Sequence, residues 1–164
     1  MKVFINDANI LIDLVKLHME EAFLSLHVDL YITDFVFSEL TDVQQQSLTS
    51  ERLTVIRTET PDDFGGIASL YNALKGVSFE DCSVWYYTQK MNATLITGDG
   101  TLRKKGTQSG LDVKRILFIL EEIKNQKLLP LNECFQKLEE LKLLNNRLPF
   151  AEIEHRIQAW KNEL

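Results

Sequence analysis

Short apolar runs alternate with helical segments over roughly the first two-thirds of the chain, and no other feature narrows the fold so far. Val3, Phe4 and Ile5 are consecutive with no polar residue between them, so Lys2–Asn6 reads as a strand buried on both faces. Leu30–Thr33, Leu53–Arg57 and Thr94–Thr97 read as further strands, and Leu111–Val113 as a short fifth. Between them, Ile10, Leu11, Leu14 and Leu17 share one helical face, and a second short helix spans His18–Leu26. Asp34–Val43 is expected as a helix and the polar run Gln44–Ser50 as a loop. Pro61 sits well in the first turn of a helix that runs to about Leu74 and is ended by Gly76. Ser78-Phe79-Glu80-Asp81 has the spacing of a capping box, opening a helix to about Met91. The rest is helical, over 114–126, 131–144 and 150–162, punctuated by Pro130 and Pro149. Alternating strands and helices imply an α/β fold, a three-layer α/β/α sandwich with a central, mainly parallel sheet. Residues 1–128 are expected to form the main domain, and residues 129–164 a helical C-terminal extension packed on it.

Composition excludes several classes. Hydrophobic residues make up 45% and charged residues 26% of 164, close to the globular average, so the chain is neither a disordered tail nor a disulfide scaffold. No apolar run approaches the roughly 20 residues that span a bilayer. The opening residues are too short and too polar an apolar stretch for a signal peptide, and a cytoplasmic protein is expected. Cys82 and Cys134 lack metal-ligand spacing and read as free thiols, and the scattered His18, His27 and His155 make no zinc pattern. The net charge of −6 is polarised: residues 1–100 carry 6 basic and 15 acidic side chains, residues 101–164 carry 12 and 9.

In a parallel sheet, ligands gather beyond the carboxyl ends of the strands. Asp7 follows the first strand, Asp99 follows the fourth, Glu39 lies on the helix after the second, and Asp81 lies in the first turn of the helix leading into the fourth. All four acids can converge at one rim. Each also has a plain reading: Asp7 as a helix cap, Glu39 as a solvated helix residue, Asp81 as part of the capping box, Asp99 as a turn residue. Converging carboxylates raise one another's pKa values, and a divalent cation removes that repulsion. Hard oxygen ligands suit Mg²⁺ or Mn²⁺, whose usual task in such a site is phosphoryl transfer.

The motifs Asp7-Ala8-Asn9, Ser38-Glu39-Leu40, Ser78-x-x-Asp81 and Leu95-Ile96-Thr97-Gly98-Asp99 resemble, in this order and spacing, the PIN domain, in particular VapC-type toxin ribonucleases. The resemblance covers residues 1–120 or so. It implies a metal-dependent endoribonuclease with Asp7, Glu39, Asp81 and Asp99 as ligands of Mg²⁺ or Mn²⁺, and with Asn9 and Thr97 supporting them by hydrogen bonds. It also implies an RNA substrate, a homodimer, and inhibition by a cognate antitoxin. Many members carry a further acid just after the fourth. Here Leu102, Arg103 and Lys104 stand there, and Arg103, Lys104 and Lys105 become candidates for phosphate contacts.

Other readings fare worse. A haloacid-dehalogenase-type phosphatase needs an aspartate where Asn9 stands and an acid where Arg103 stands. A receiver domain needs paired acids that Asn6-Asp7 does not supply. The alternative from another class is a PIN-like module that binds or scaffolds without cutting. Trp85, one turn from Asp81, can stack a base but reads first as core. Leu131, Phe135, Leu138, Leu141 and Leu144, then Leu148, Ile153, Ile157 and Trp160, form an apolar stripe, read first as packing and second as an antitoxin or dimer surface.

Overall fold

In a computed structural model, residues 1–145 and 147–164 are described. Five strands, β1 (Val3–Asn6), β2 (Asp29–Thr33), β3 (Leu53–Ile56), β4 (Thr94–Ile96) and β5 (Asp112–Lys114), form one parallel sheet in the order β3-β2-β1-β4-β5. The chain builds outward from β1 in one direction through β2 and β3, then crosses back to lay β4 and β5 on the other side. The carboxyl ends of β1 and β4 therefore flank a topological switch point, where open α/β sheets hold their ligands. The two strand ends are tied there by the Asp7 amide, which donates to the Ile96 carbonyl at 2.9 Å, and the Thr97 amide ties the end of β4 to β5 by donating to the Lys114 carbonyl at 3.0 Å.

Central strands carry the unbroken apolar runs. Phe4, Ile5, Leu30, Ile32, Leu95 and Ile96 are buried, whereas β3 and β5, at the edges, are partly exposed. Helices cover both faces: α1 (Ala8–Lys16), α2 (Glu20–Leu24), α3 (Asp34–Phe37), α4 (Asp42–Leu48), α5 (Pro61–Ala73), α6 (Phe79–Lys90), α7 (Gly100–Gln108), α8 (Ile116–Asn125), α9 (Leu131–Leu144) and α10 (Phe150–Lys161). Side chains cap α1, α3, α4, α5, α6 and α7, through Asp7, Thr33, Thr41, Thr60, Ser78 and Asp99.

Two expectations need correction. The helix expected over Asp34–Val43 stops at Phe37, and Glu39 lies in the turn beyond it; the loop expected over Gln44–Ser50 is largely helix α4. The cause is a reciprocal capping box: Thr41 accepts from the Gln44 amide, and the Gln44 side chain accepts from the Thr41 amide at 2.9 Å. Helix α7 was not anticipated, because its sequence is polar and holds Gly100 and Gly106. Asp99 starts it by accepting from the Leu102 amide at 2.7 Å, and Leu102 anchors it in the core. Gly106 is there for space, since a Cβ would lie 3.2 Å from the Val113 side chain.

The C-terminal hairpin buries most of its stripe against the same core, with Leu131, Phe135 and Leu148 partly buried and Leu144 left exposed. Leu138, Leu141, Ile153, Ile157 and Trp160 join the cluster that holds the sheet. The Trp160 Nε1–H donates to Glu121 Oε2 at 2.8 Å, and Arg156 pairs with the same oxygen at 2.9 Å. Lys142 pairs with Glu154 across the hairpin. Asn145 donates to Asp13 Oδ2 at 2.9 Å, which fastens the hairpin tip to α1. Trp85 is buried core, and Cys82 and Cys134 are buried and unbonded. Among the described residues, no helix is long and apolar enough to cross a membrane.

Candidate functional site

The site grows from β1. Asp7 is 3% exposed and both its carboxylate oxygens are engaged. Oδ1 accepts from the Ala8 amide at 2.8 Å, which caps α1; Oδ2 accepts from Thr97 Oγ1 at 2.7 Å and from Asn9 Nδ2 at 3.3 Å. The Thr97 hydroxyl also accepts from the Asp99 amide at 3.1 Å, and Asn9 Oδ1 accepts from the Gly98 amide at 3.0 Å. Thr97 and Asn9 thus lock the loop after β4 onto the end of β1. Asp99 caps α7 with Oδ1. Its Oδ2 makes no hydrogen bond among the described residues, which leaves one oxygen free to face the crevice.

Asp81 arrives from α6. Ser78 Oγ accepts from the Asp81 amide at 3.1 Å, so the helix start is satisfied from the serine side. The Asp81 carboxyl is pushed up to about 7, first by burial and then by the charges of Asp7, Asp99 and Glu39; a hydrogen bond with Ser78 offsets only part of this. Asp7 is raised chiefly by burial, and Asp99 adds to it against the hydrogen bonds of Thr97, Ala8 and Asn9. Glu39 is raised by partial burial, by Asp7 and by Glu80. Four acids from four separate segments therefore act on one another. Asp7 is a helix cap as its plain reading has it, Asp99 caps α7 instead of being a turn residue, and at Asp81 only the Ser78 half of the capping box forms; none of these roles competes with the site. Each cap uses a backbone group or one oxygen.

Chemically, this is an all-oxygen donor set that cannot ionise fully at neutral pH. Such a set fits a small hard cation better than a thiolate- or imidazole-seeking metal. The carboxylates converge without closing: among the described residues, no three His, Cys, Asp or Glu side chains are grouped tightly enough to hold an ion.

The expected basic residues divide. Arg103 lies beside Asp99 and lines a cavity of about 300 Å³, together with Asn9, Asp13, Arg115 and Arg147. Lys104 is exposed and faces a separate shallow groove with Thr107 and Gln108. Lys105, in the last turn of α7, lines neither. Sequence reasoning passed over Glu80, whose charge acts on Glu39, and over Arg115 and Arg147 as parts of the site. Arg115 directly follows β5, so the strand-end rule that found Asp7 and Asp99 points to it as well.

A family model described as a PIN domain matches residues 3–162. No curated protein sequence matches the chain. Among solved structures, the chain is similar to VapBC-1 from nontypeable Haemophilus influenzae, with 20% identity over 70% of this chain and 98% of that one, and a TM-score of 0.51. It also matches VapBC2 from Rickettsia felis, solved bound to a DNA fragment from their promoter, with 16% identity over 69% of this chain and 98% of that one, and a TM-score of 0.49. At this identity the likeness to the Haemophilus structure concerns the fold.

Proposed function

The chain belongs to the PIN domain family, and on that footing we propose that it is a Mg²⁺- or Mn²⁺-dependent endoribonuclease, the toxin of a type II toxin–antitoxin pair. The observation that carries this reading is the gathering of acids from four segments at the switch point: Thr97 joins Asp7 to the Asp99 loop, and Asp81 is pushed up to about 7 first by burial and then by the charges of Asp7, Asp99 and Glu39. Asp7, Glu39, Asp81 and Asp99 would hold the cation. When bound, it would supply a water of lowered pKa and neutralise charge on the phosphate.

Each residue has a task in that arrangement. Asp7 is the fixed point, oriented by Thr97 and Asn9 and shielded from solvent. Asp99 offers the one oxygen that its helix cap leaves free. Asp81 would have to give up its proton to serve as a ligand. Glu39, in a turn rather than on a helix, is the member best able to move inward. Arg103 stands where a substrate phosphate would approach Asp99, and Lys104 and Lys105 add charge along α7. In this reading residues 1–128 carry the chemistry and residues 129–164 wall one side of the basic cavity. The partners that go with it are RNA, a cognate antitoxin and a second copy of the chain.

A second reading is a PIN-like module that binds without cutting, and the open spacing of the carboxylates favours it. One experiment separates the two: cleavage of a mixed-sequence fluorogenic RNA in Mn²⁺, Mg²⁺ or EDTA, with Asp99→Asn beside the wild type. Metal-dependent cleavage that the variant loses supports the nuclease. Metal-dependent RNA binding with no cleavage supports the module.

A further inference from the structure

Three arginines from separate parts of the chain face the cavity beside Asp99: Arg103 from α7, Arg115 at the start of α8, and Arg147 from the turn before α10. Like charges of this kind repel unless something between them takes up their hydrogen bonds. Arg103 makes no ion pair among the described residues, and its Nε–H is enclosed without a partner. The Nε–H of Arg115 is enclosed and unpartnered too, although its Nη1 reaches Glu152 Oε2 at 3.2 Å. Solvent does not reach these two Nε–H groups, so the donors open to the cavity are the guanidinium Nη groups of Arg103 and the second Nη of Arg115, none of which has a partner among the described residues. Apart from Glu152 on Arg115, the acids nearby do not pair with them. Asp99 commits Oδ1 to its helix cap, and Asp13 is bound to Asn145. Helix α8 has no side-chain cap, and Ile116 in its first turn also lines the cavity. A planar guanidinium pair at an uncapped helix start matches the geometry of a tetrahedral oxyanion.

We propose that this cavity is an oxyanion pocket that takes one phosphate group of the substrate strand, with Arg103 and Arg115 as its donors and Arg147 closing it from the C-terminal hairpin. The identity of the strand rests on the nuclease reading; the pocket does not. The phosphate comes either from a strand end or from an internal diester, and both offer the same oxygens.

The test uses the full chain in EDTA. Thermal unfolding is followed as inorganic phosphate rises, with ionic strength held constant by chloride. Phosphate raises the Tm of the wild type, and Arg103→Gln and Arg115→Gln each weaken its apparent affinity by about tenfold. Glu152→Gln removes the carboxylate that competes for Arg115, so it strengthens the protection. Lys161→Gln, far from the cavity, leaves it unchanged. A wild-type Tm that phosphate does not move, or protection that the arginine variants retain in full, overturns the proposal. Should the arginine variants fail to fold, Glu152→Gln decides alone, and protection no stronger than wild type overturns it. The source is then read by anisotropy on Asp7→Asn, using 5′-phosphorylated and 5′-hydroxyl RNA of one sequence. Tighter binding of the phosphorylated strand assigns a terminal phosphate; equal binding that Arg103→Gln weakens assigns a diester. Binding that Arg103→Gln leaves untouched rejects both. Because the phosphate arm involves neither metal nor cleavage, an inactive chain can pass it and an active nuclease can fail it.

Discussion

A carboxyl whose proton the fold holds to about pH 7 weakens that fold as the pH climbs from the ordinary carboxyl value to 7. Asp81 is such a group, with an ordinary value of 3.8. Below about pH 4 it is protonated in both folded and unfolded chains and contributes nothing. Between about 4 and 7 the unfolded chain has lost the proton and the folded chain has not, so stability falls as pH rises; above 7 the penalty is complete. Asp81→Asn should therefore stabilise the metal-free protein at pH 8 by about 1–2 kcal/mol, allowing for the solvent that still reaches the carboxyl. The gain should fade towards pH 4. Urea unfolding in EDTA at both pH values checks this, and a pH-independent gain would contradict it. Thr97→Val tests the opposite kind of residue. It removes a donor from the buried Asp7 and an acceptor from the half-buried Asp99 amide, and should cost about 1–3 kcal/mol. It should also move the acidic limb of any metal-dependent cleavage profile to higher pH, because the ionised form of Asp7 loses its best partner. Asp7, Asp81 and Asp99 were legible in the sequence because strand ends and helix starts are local signals. Arg115 carries the same strand-end signal, whereas Glu80 and Arg147 do not, because what makes them matter is which charge or cavity they face, and that is a tertiary fact.

Helices begin here where hydroxyls and carboxylates can cap them, and most of the starts can be read that way. Where the sequence misled, two local signals competed. The apolar and acidic residues after Asp34 suggest one helix, but the Thr41–Gln44 box restarts it, and the turn so created carries Glu39. In α7, glycines and a polar composition hid a helix that a cap and one buried leucine suffice to hold. Packing between α5 and α6 makes a sharper demand. A Cβ at Gly66 would lie 2.3 Å from the Tyr86 ring, and Tyr86 is held by its hydroxyl donating to Asp63 at 2.7 Å. Gly66→Ala should cost about 1–3 kcal/mol by forcing the ring aside. Gly65→Ala, with nothing within 4 Å, should be neutral or slightly stabilising. Equal Tm values for the two variants would contradict this account of the helix pair.

The whole molecule joins an acidic body to a more basic C-terminal third, and the crevice lies where they meet. The sequence showed this polarity in its charge counts, but not that the hairpin returns to wall the cavity. That depends on contacts between residues far apart in the chain, such as Asn145 with Asp13 and Trp160 with Glu121. Trp160 is nearly fully buried and edge-on to Phe135 at 6.0 Å. Trp160→Ala should cost about 3–5 kcal/mol and release the hairpin, read as a lower urea midpoint with loss of near-ultraviolet circular dichroism. A cost under about 1 kcal/mol would mean that the extension is only loosely attached. The central claim is that four acids from four segments form one cation site gated by the proton on Asp81. Calorimetric titration of Mn²⁺ in buffers of differing ionisation enthalpy tests it most directly. The account predicts binding that tightens as pH rises through about 7, releases a proton below that pH, and loses the release in Asp81→Asn. Absence of binding, or binding whose affinity and proton release Asp81→Asn leaves unchanged, would contradict it.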